Sequence, residues 1–229
     1  MKIGIMQPYF LPYIGYWQLM GAVDRYVILD DVNYIKRGWI NRNRILLNGK
    51  DHLFTLPLVK ADAFRHINEN TLDEIPSALR KTVDLAYRRA PHYAEVVPLV
   101  DELLGYGERN LAKFVGHSIR RVADYLGVRP EFCYASEIEH DPSLRAQDMI
   151  LDIVKRLGGD VYYNAIGGQE LYDRVRFAAE GVSLGFVKPT LRPYAQFGNE
   201  FIPGLSILDV MMFCDRRQLR EQLGSFEIV

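Results

Sequence analysis

Apolar residues recur at two different spacings along this chain, and the alternation between them sets the expected fold. Lys2 to Met6 (KIGIM) and Arg25 to Leu29 (RYVIL) are short apolar runs of the kind buried on both faces of a parallel sheet. Between them, Tyr13 to Gly21 sets Ile14, Trp17 and Leu19 or Met20 at helical spacing, so the opening segment reads as a βαβ unit. Asn48-Gly49, flanked by Arg44 to Leu47 and Leu53 to Leu56, predicts a β-hairpin that ends before Pro57. From Thr71 to Gly127 the period becomes helical. Helices are predicted over 75–88, 93–104 and 111–126, with Pro91 and Gly105 or Gly107 as breakers.

Beyond this stretch, strands predicted over 131–134, 161–164 and 183–187 alternate with helices over 146–157 and 169–180, and a buried helix over 205–213 ends the fold. The alternation predicts an α/β fold with a doubly wound, mostly parallel, Rossmann-like sheet. The helical stretch at about 71–127 and the β-hairpin then read as inserts in a single domain spanning 1–229.

Composition narrows the chemistry. The 229 residues carry a formal net charge of -1, which points to neither nucleic acid nor an anionic membrane as the main partner, so local patches must supply any anion binding. Cys133 and Cys214 lie far apart without a CxxC pair, so neither a zinc site nor a disulfide framework is expected, and a reducing cytoplasmic setting is the simpler reading. No apolar window reaches the length of a membrane span. The five histidines, at 52, 66, 92, 117 and 140, share no metal spacing and read as surface or core residues. P-loop, GxGxxG and GxSxG motifs are all missing.

Open α/β sheets bind ligands beyond the carboxyl ends of their strands, which directs attention to three segments. In the first, QPYFLPYIGY, Pro8 and Pro12 stiffen the chain and press Gln7 and Leu11 toward extended geometry. Gly15 near the helix start would let a flat ring or a phosphate approach, and Tyr9, Tyr13 and Tyr16 offer hydroxyls and stacking faces. The second, DDVNYIKRGWINRNR, pairs Asp30 and Asp31, able to hold a magnesium ion or a substrate ammonium, with Lys36, Arg37, Asn41, Arg42, Asn43 and Arg44, suited to phosphate or carboxylate. Arg42 is the favoured anion contact. The third, NAIGGQELYD, places Gly167 and Gly168 before a predicted helix, a candidate anion-binding turn. Farther on, Tyr194 and Gln196 are candidate acceptor contacts, and Asp209 sits inside an apolar run where a carboxylate needs a partner, with a structural role favoured over a pocket one.

QPYFLPYIGYWQLM, VDRYVILDDVNYIKRGWINRNRI, YYNAIGGQELYD and YAQFGNEFIPGLSILDVMMF, in this order and over nearly the whole chain, resemble the WbqC-like protein family. That resemblance implies a place in O-antigen, lipopolysaccharide or other bacterial surface-polysaccharide synthesis, with glycine transfer to an amino sugar as the implied reaction. The strand, proline-bearing loop and Y-x-G-Y at a helix start also resemble the HxGH region of nucleotidyltransferase-like enzymes such as pantothenate synthetase, with Tyr13 and Tyr16 standing where that pattern has histidines. The analogy implies ATP and magnesium. Gln7, Pro8, Tyr13, Gly15, Tyr16, Gly167 and Gly168 would line a nucleotide pocket, Lys36 and Arg42 would neutralise phosphate charge, and Asp30 or Asp31 would hold magnesium or orient an amine. Asn41, Asn43, Tyr194 and Gln196 would then contact a nucleotide-linked amino sugar. Two alternatives stay open: an already activated donor such as a thioester or a charged tRNA, and a non-catalytic module that binds a nucleotide sugar.

Overall fold

Eight strands and eight helices follow in chain order in the computed structural model, which describes residues 1–198 and 200–229. They are β1 (Lys2–Met6), α1 (Ile14–Gly21), β2 (Arg25–Ile28), β3 (Arg42–Leu47), β4 (Lys50–Thr55), α2 (Ser77–Tyr87), α3 (Tyr93–Leu104) and α4 (Leu111–Leu126). The second half runs β5 (Glu131–Tyr134), α5 (Ala146–Arg156), β6 (Val161–Ala165), α6 (Arg174–Ala179), β7 (Ser183–Pro189), α7 (Ile207–Phe213), α8 (Arg216–Leu223) and β8 (Phe226–Ile228).

The main sheet has the order β5-β2-β1-β6-β7-β8; its first five strands are parallel and β8 closes one edge antiparallel to β7. With β1 in the middle, the chain winds out through β2 to β5 on one side and through β6 to β7 on the other, the doubly wound arrangement expected from the apolar pattern. Side chains alternate across the sheet. Ile3, Ile5 and Val27 join α5 residues Ile150, Ile153 and Val154 and the α6 residue Phe177 in one core. Tyr26 and Ile28 join Trp17, Leu19, Phe114 and Met211 in the larger core on the other face, which also takes in α2 to α4, α7 and the hairpin. Fully burying each such side chain contributes about 1.5–3 kcal/mol, so both faces of the sheet are firmly covered.

Differences from the expected elements have local causes. The hairpin begins at Arg42, pairing Arg42 with Thr55 through to Leu47 with Lys50, so Arg42, Asn43 and Arg44 lie on a strand and not in a polar loop. Asn48 (φ 52°) and Gly49 (φ 73°) form the expected two-residue turn, both left-handed as the right-handed twist of the strands requires. The helix predicted over 75–88 starts at Ser77, after Pro76 takes the capping position. The helix predicted over 169–180 is a 3-10 turn over Ile166–Leu171 followed by α6, because Asp173 accepts a hydrogen bond from the Val175 amide (2.8 Å) and starts a new helix. Nor does α7 end the fold: Asp215 and Gln218 cap α8, and β8 follows. Among the described residues no helix is long and apolar enough to cross a membrane.

Candidate functional site

The loop after β1 is held on several sides. Phe10 donates its amide to the Ile40 carbonyl (3.0 Å), and Trp17 Nε1 donates to the Pro12 carbonyl (3.0 Å). Asn43 Nδ2 donates to the carbonyls of Phe10 (3.1 Å) and Leu11 (2.6 Å), and Ser206 Oγ also donates to Leu11 (2.7 Å). Leu11 therefore keeps a left-handed φ of 48°, a conformation that costs a non-glycine residue on the order of 1 kcal/mol and persists because its surroundings fix it. Tyr16 is fully buried, donates to the Gln7 carbonyl (2.9 Å), and has its phenol pushed up by burial; it is a core residue. Pro8 is likewise buried. Gly15 does admit a flat ring, that of Tyr13: a Cβ at Gly15 would stand 2.5 Å from the Tyr13 ring, so the open approach expected for a phosphate is already filled from within.

Tyr9, Pro12 and Tyr13 from this loop meet Trp39, Asn43 and Arg44 from the segment after β2 around a cavity of about 270 Å³, with Gly204 at its border. The guanidinium of Arg44 lies 5.5 Å from the centre of the Trp39 ring and that of Arg42 5.7 Å, both within reach of cation–π attraction. Arg42 is turned back by its Nε, which donates to the Gly38 carbonyl (2.7 Å); the arginine that lines the cavity is Arg44. Arg44 Nη1 pairs with Asp51 (3.2 Å), while its buried Nε has no partner among the described residues. Lys36 is exposed and lines neither this cavity nor the one formed by Asp31. The two asparagines are used internally: Asn41 accepts from the Tyr34 hydroxyl (2.8 Å) and donates to the Leu56 carbonyl (2.7 Å), while Asn43 staples the first loop as above.

A second cavity, about 660 Å³, follows the carboxyl ends of β2 and β5. The two aspartates at the end of β2 diverge. Asp30 turns inward and accepts from the Ser136 amide (3.0 Å), Ser136 Oγ (2.7 Å) and Asn68 Nδ2 (3.2 Å). Asp31 lines the cavity with His140, His66 and Ser136. Its Oδ2 lies 3.3 Å from His140 Nε2, and its Oδ1, buried, has no hydrogen-bond partner among the described residues. His140 Nδ1 is 2.8 Å from the Ile138 carbonyl, which can only accept, so Nδ1 carries a proton and Nε2 faces Asp31. Burial raises the Asp31 carboxyl above the ordinary carboxylate range, and the nearby His140 partly offsets that rise. His140 was read from the sequence as surface or core; nothing in its spacing links it to Asp31, and only the adjacency of β2 and β5 does so.

The remaining candidates do not join either cavity. Gly167 is exposed with open space around it, whereas Gly168 is buried and packs on Asn164, whose Oδ1 a Cβ would approach to 2.9 Å. Tyr194 (2.7 Å) and Gln196 (2.7 Å) both donate to Asp209 Oδ1, and Tyr87 donates to Oδ2 (2.9 Å). Asp209 is fully buried and burial raises its carboxyl; two hydroxyls and an amide supply the partners that a buried carboxylate needs. Among the described residues no group of three or more His, Cys, Asp or Glu is placed to hold a metal ion.

Strand order and cavities define an α/β protein of the Rossmann-like type with ligand-sized hollows beside the carboxyl ends of its parallel strands. The chain belongs to the WbqC-like protein family, whose model matches residues 7–221 and so includes both cavities. It is similar to a protein of Mycobacterium tuberculosis (strain ATCC 25618 / H37Rv) named "Uncharacterized protein Rv1507c", 26% identical over 215 residues that cover 92% of each chain. No solved structure matches.

Proposed function

We propose that this protein transfers an acyl or aminoacyl group, glycine in the first instance, to the amino group of a nucleotide-linked sugar in bacterial surface-polysaccharide synthesis. The donor acid is activated by ATP. Its carboxylate attacks the α-phosphorus and pyrophosphate leaves; the sugar amine, its proton passing to Asp31, attacks the acyl carbonyl, and AMP departs as the amide forms.

The observation that carries this reading is the Asp31–His140 pair at the larger cavity. An amine at neutral pH is mostly ammonium and must lose a proton to attack. Asp31 Oδ1 has no protein partner, and a carboxyl raised by burial is a stronger base than an ordinary one. His140, fixed through Nδ1, holds the other carboxylate oxygen in place. During activation Asp31 Oδ1 would hold the magnesium that arrives with ATP, and it would be free to take the amine proton once pyrophosphate has left with the metal; Asp31, not Asp30, is the carboxylate with an oxygen to give. The family resemblance supports the polysaccharide setting.

The test is pyrophosphate release with ATP, magnesium, glycine and a panel of nucleotide-linked amino sugars. Asp31→Asn should lower turnover by about 10²–10⁴-fold, the usual worth of a general base, and flatten the acid limb of the pH profile. Turnover that survives Asp31→Asn removes Asp31 from the chemistry. Absence of ATP consumption with any acid removes the adenylate step and leaves an already activated donor.

A further inference from the structure

The smaller cavity takes no part in the proton chemistry proposed above, yet it has the features of a binding site. Trp39, Tyr9 and Tyr13 give it aromatic walls, and Arg44 gives it a cation. Trp39 is 42% exposed, unusual for the largest apolar side chain, in a chain whose other tryptophan, Trp17, is fully buried. Tyr9 and Tyr13 are half-buried, and among the described residues neither hydroxyl is hydrogen-bonded. Arg44 Nε is buried without a partner among the described residues, a donor left unsatisfied. Among the described residues Arg44 pairs with Asp51 and Arg42 has no carboxylate partner, so the local balance is cationic. Its volume of about 270 Å³ suits one ring and one charged substituent and falls short of a whole dinucleotide.

We infer that this cavity binds a sugar or nucleoside ring through its faces and an anionic substituent of that ring through Arg44, the phenols of Tyr9 and Tyr13 supplying hydroxyl donors. The substituent is a phosphate or a carboxylate, the oxyanions that a guanidinium fork recognises. Stacking against Tyr and Trp accepts many rings, while the arginine demands the charge. The inference names where one part of the acceptor proposed above would sit, and in that identification it rests on that reading. The binding itself stands apart from turnover.

Trp39 supplies the readout, because it lines the cavity whereas Trp17 is sealed in the core. Tryptophan emission is titrated with glucose 1-phosphate, UDP, glucuronic acid and, as the uncharged control, glucose. A saturable change with at least one of the three anions and none with glucose is expected; the phosphates responding alone would assign phosphate, glucuronic acid responding alone would assign carboxylate. Arg44→Gln should weaken the binding about tenfold or more, the worth of a charge-assisted hydrogen bond. Tyr9→Phe, which leaves the ring in place, should weaken it less, and Trp39→Phe should abolish the emission change. Because Arg44 is partly buried, calorimetry on Tyr9→Phe and Trp39→Phe gives a second measure independent of that variant's folding. No saturable response to any anion, or wild-type affinity in both of these variants by calorimetry, overturns the inference. Anion binding without transfer in the pyrophosphate assay would leave it standing while the enzymatic reading fell.

Discussion

Gly15→Ala is the perturbation that separates a packing glycine from a ligand-facing one. A Cβ at position 15 would lie 2.5 Å from Cζ and Oη of Tyr13, where non-bonded heavy atoms settle at about 3.5–4.0 Å, so the ring must withdraw by about 1 Å. The atoms that must move are the far end of a half-buried side chain, with the cavity on one side of it. Overpacking in a rigid core costs about 1–3 kcal/mol, and a ring with room to swing sits at the lower end. Alanine in place of glycine inside α1 returns about 0.5–1 kcal/mol in helix propensity. The two nearly cancel, and a net change within about 1 kcal/mol is expected from urea unfolding. The same displacement moves one wall of the smaller cavity, so anion affinity read by Trp39 emission should fall several-fold in a protein of near-normal stability. A stability loss above about 3 kcal/mol would show that the Tyr13 ring is locked, and the reasoning from its freedom would be wrong. Unchanged affinity would show that Tyr13 does not wall a binding site.

Three other outcomes follow from the buried polar groups. Asp209 has a folded carboxyl raised above its ordinary value of 3.8, so the folded state binds more protons than the unfolded one from that pH upward and stability falls as pH rises through this window; in thermal melts across the acid to neutral range the advantage of wild type over Asp209→Asn should shrink with rising pH, and a constant difference would refute the assignment. Asn43→Ala removes the donor to the Phe10 and Leu11 carbonyls and the acceptor of the Arg44 amide, at an expected cost of about 2–4 kcal/mol in urea unfolding; a loss below about 0.5 kcal/mol would mean that the first loop holds its shape without it. Gly168→Ala, with its Cβ 2.9 Å from Asn164 Oδ1, should cost about 1–3 kcal/mol whereas Gly167→Ala, in open space, should be near neutral, and equal effects would contradict the packing.

Residue periodicity carried the sheet because β1, β2 and β7 each hold a continuous buried run and so advertise themselves as apolar segments: Lys2–Met6, Arg25–Ile28 and Ser183–Pro189 fall where KIGIM, RYVIL and the 183–187 run predict strands. Periodicity could not reveal β8, whose three residues are half-exposed at an edge, nor the break before α6, where a side-chain cap at Asp173 overrides a helical pattern. Polarity alone did not separate internal partners from open side chains. Asn41, Asn43, Gln196 and Asp30 look like ligand contacts in a string of letters, yet each spends its hydrogen-bonding capacity on the backbone or on a neighbouring side chain. Buried polar groups must be satisfied somewhere, and a loop-rich segment meets that demand with its own amides before any ligand arrives.

The segment from Asp31 to Arg44 contributes to both cavities, Asp31 and Asn33 to the larger, Trp39 and Arg44 to the smaller. Its middle is held by Tyr34, whose amide donates to the Arg65 carbonyl (2.9 Å) and whose buried hydroxyl donates to Asn41 (2.8 Å), so the two ends are fixed relative to each other through one short span of chain. Such a span explains why so many charged and amide residues crowd the region between β2 and β3. On the proposed reading Arg44 would hold an anion at one end and Asp31 would accept a proton at the other, while Asn41 and Asn43 hold the backbone that spaces them. An acceptor that carries its anionic group and its amine on one molecule needs that spacing fixed before it binds, since each ordered side chain would otherwise add its own entropy cost of about 0.5–1.5 kcal/mol to association. Rigidity in the connection, rather than the number of polar letters in it, is what the segment supplies.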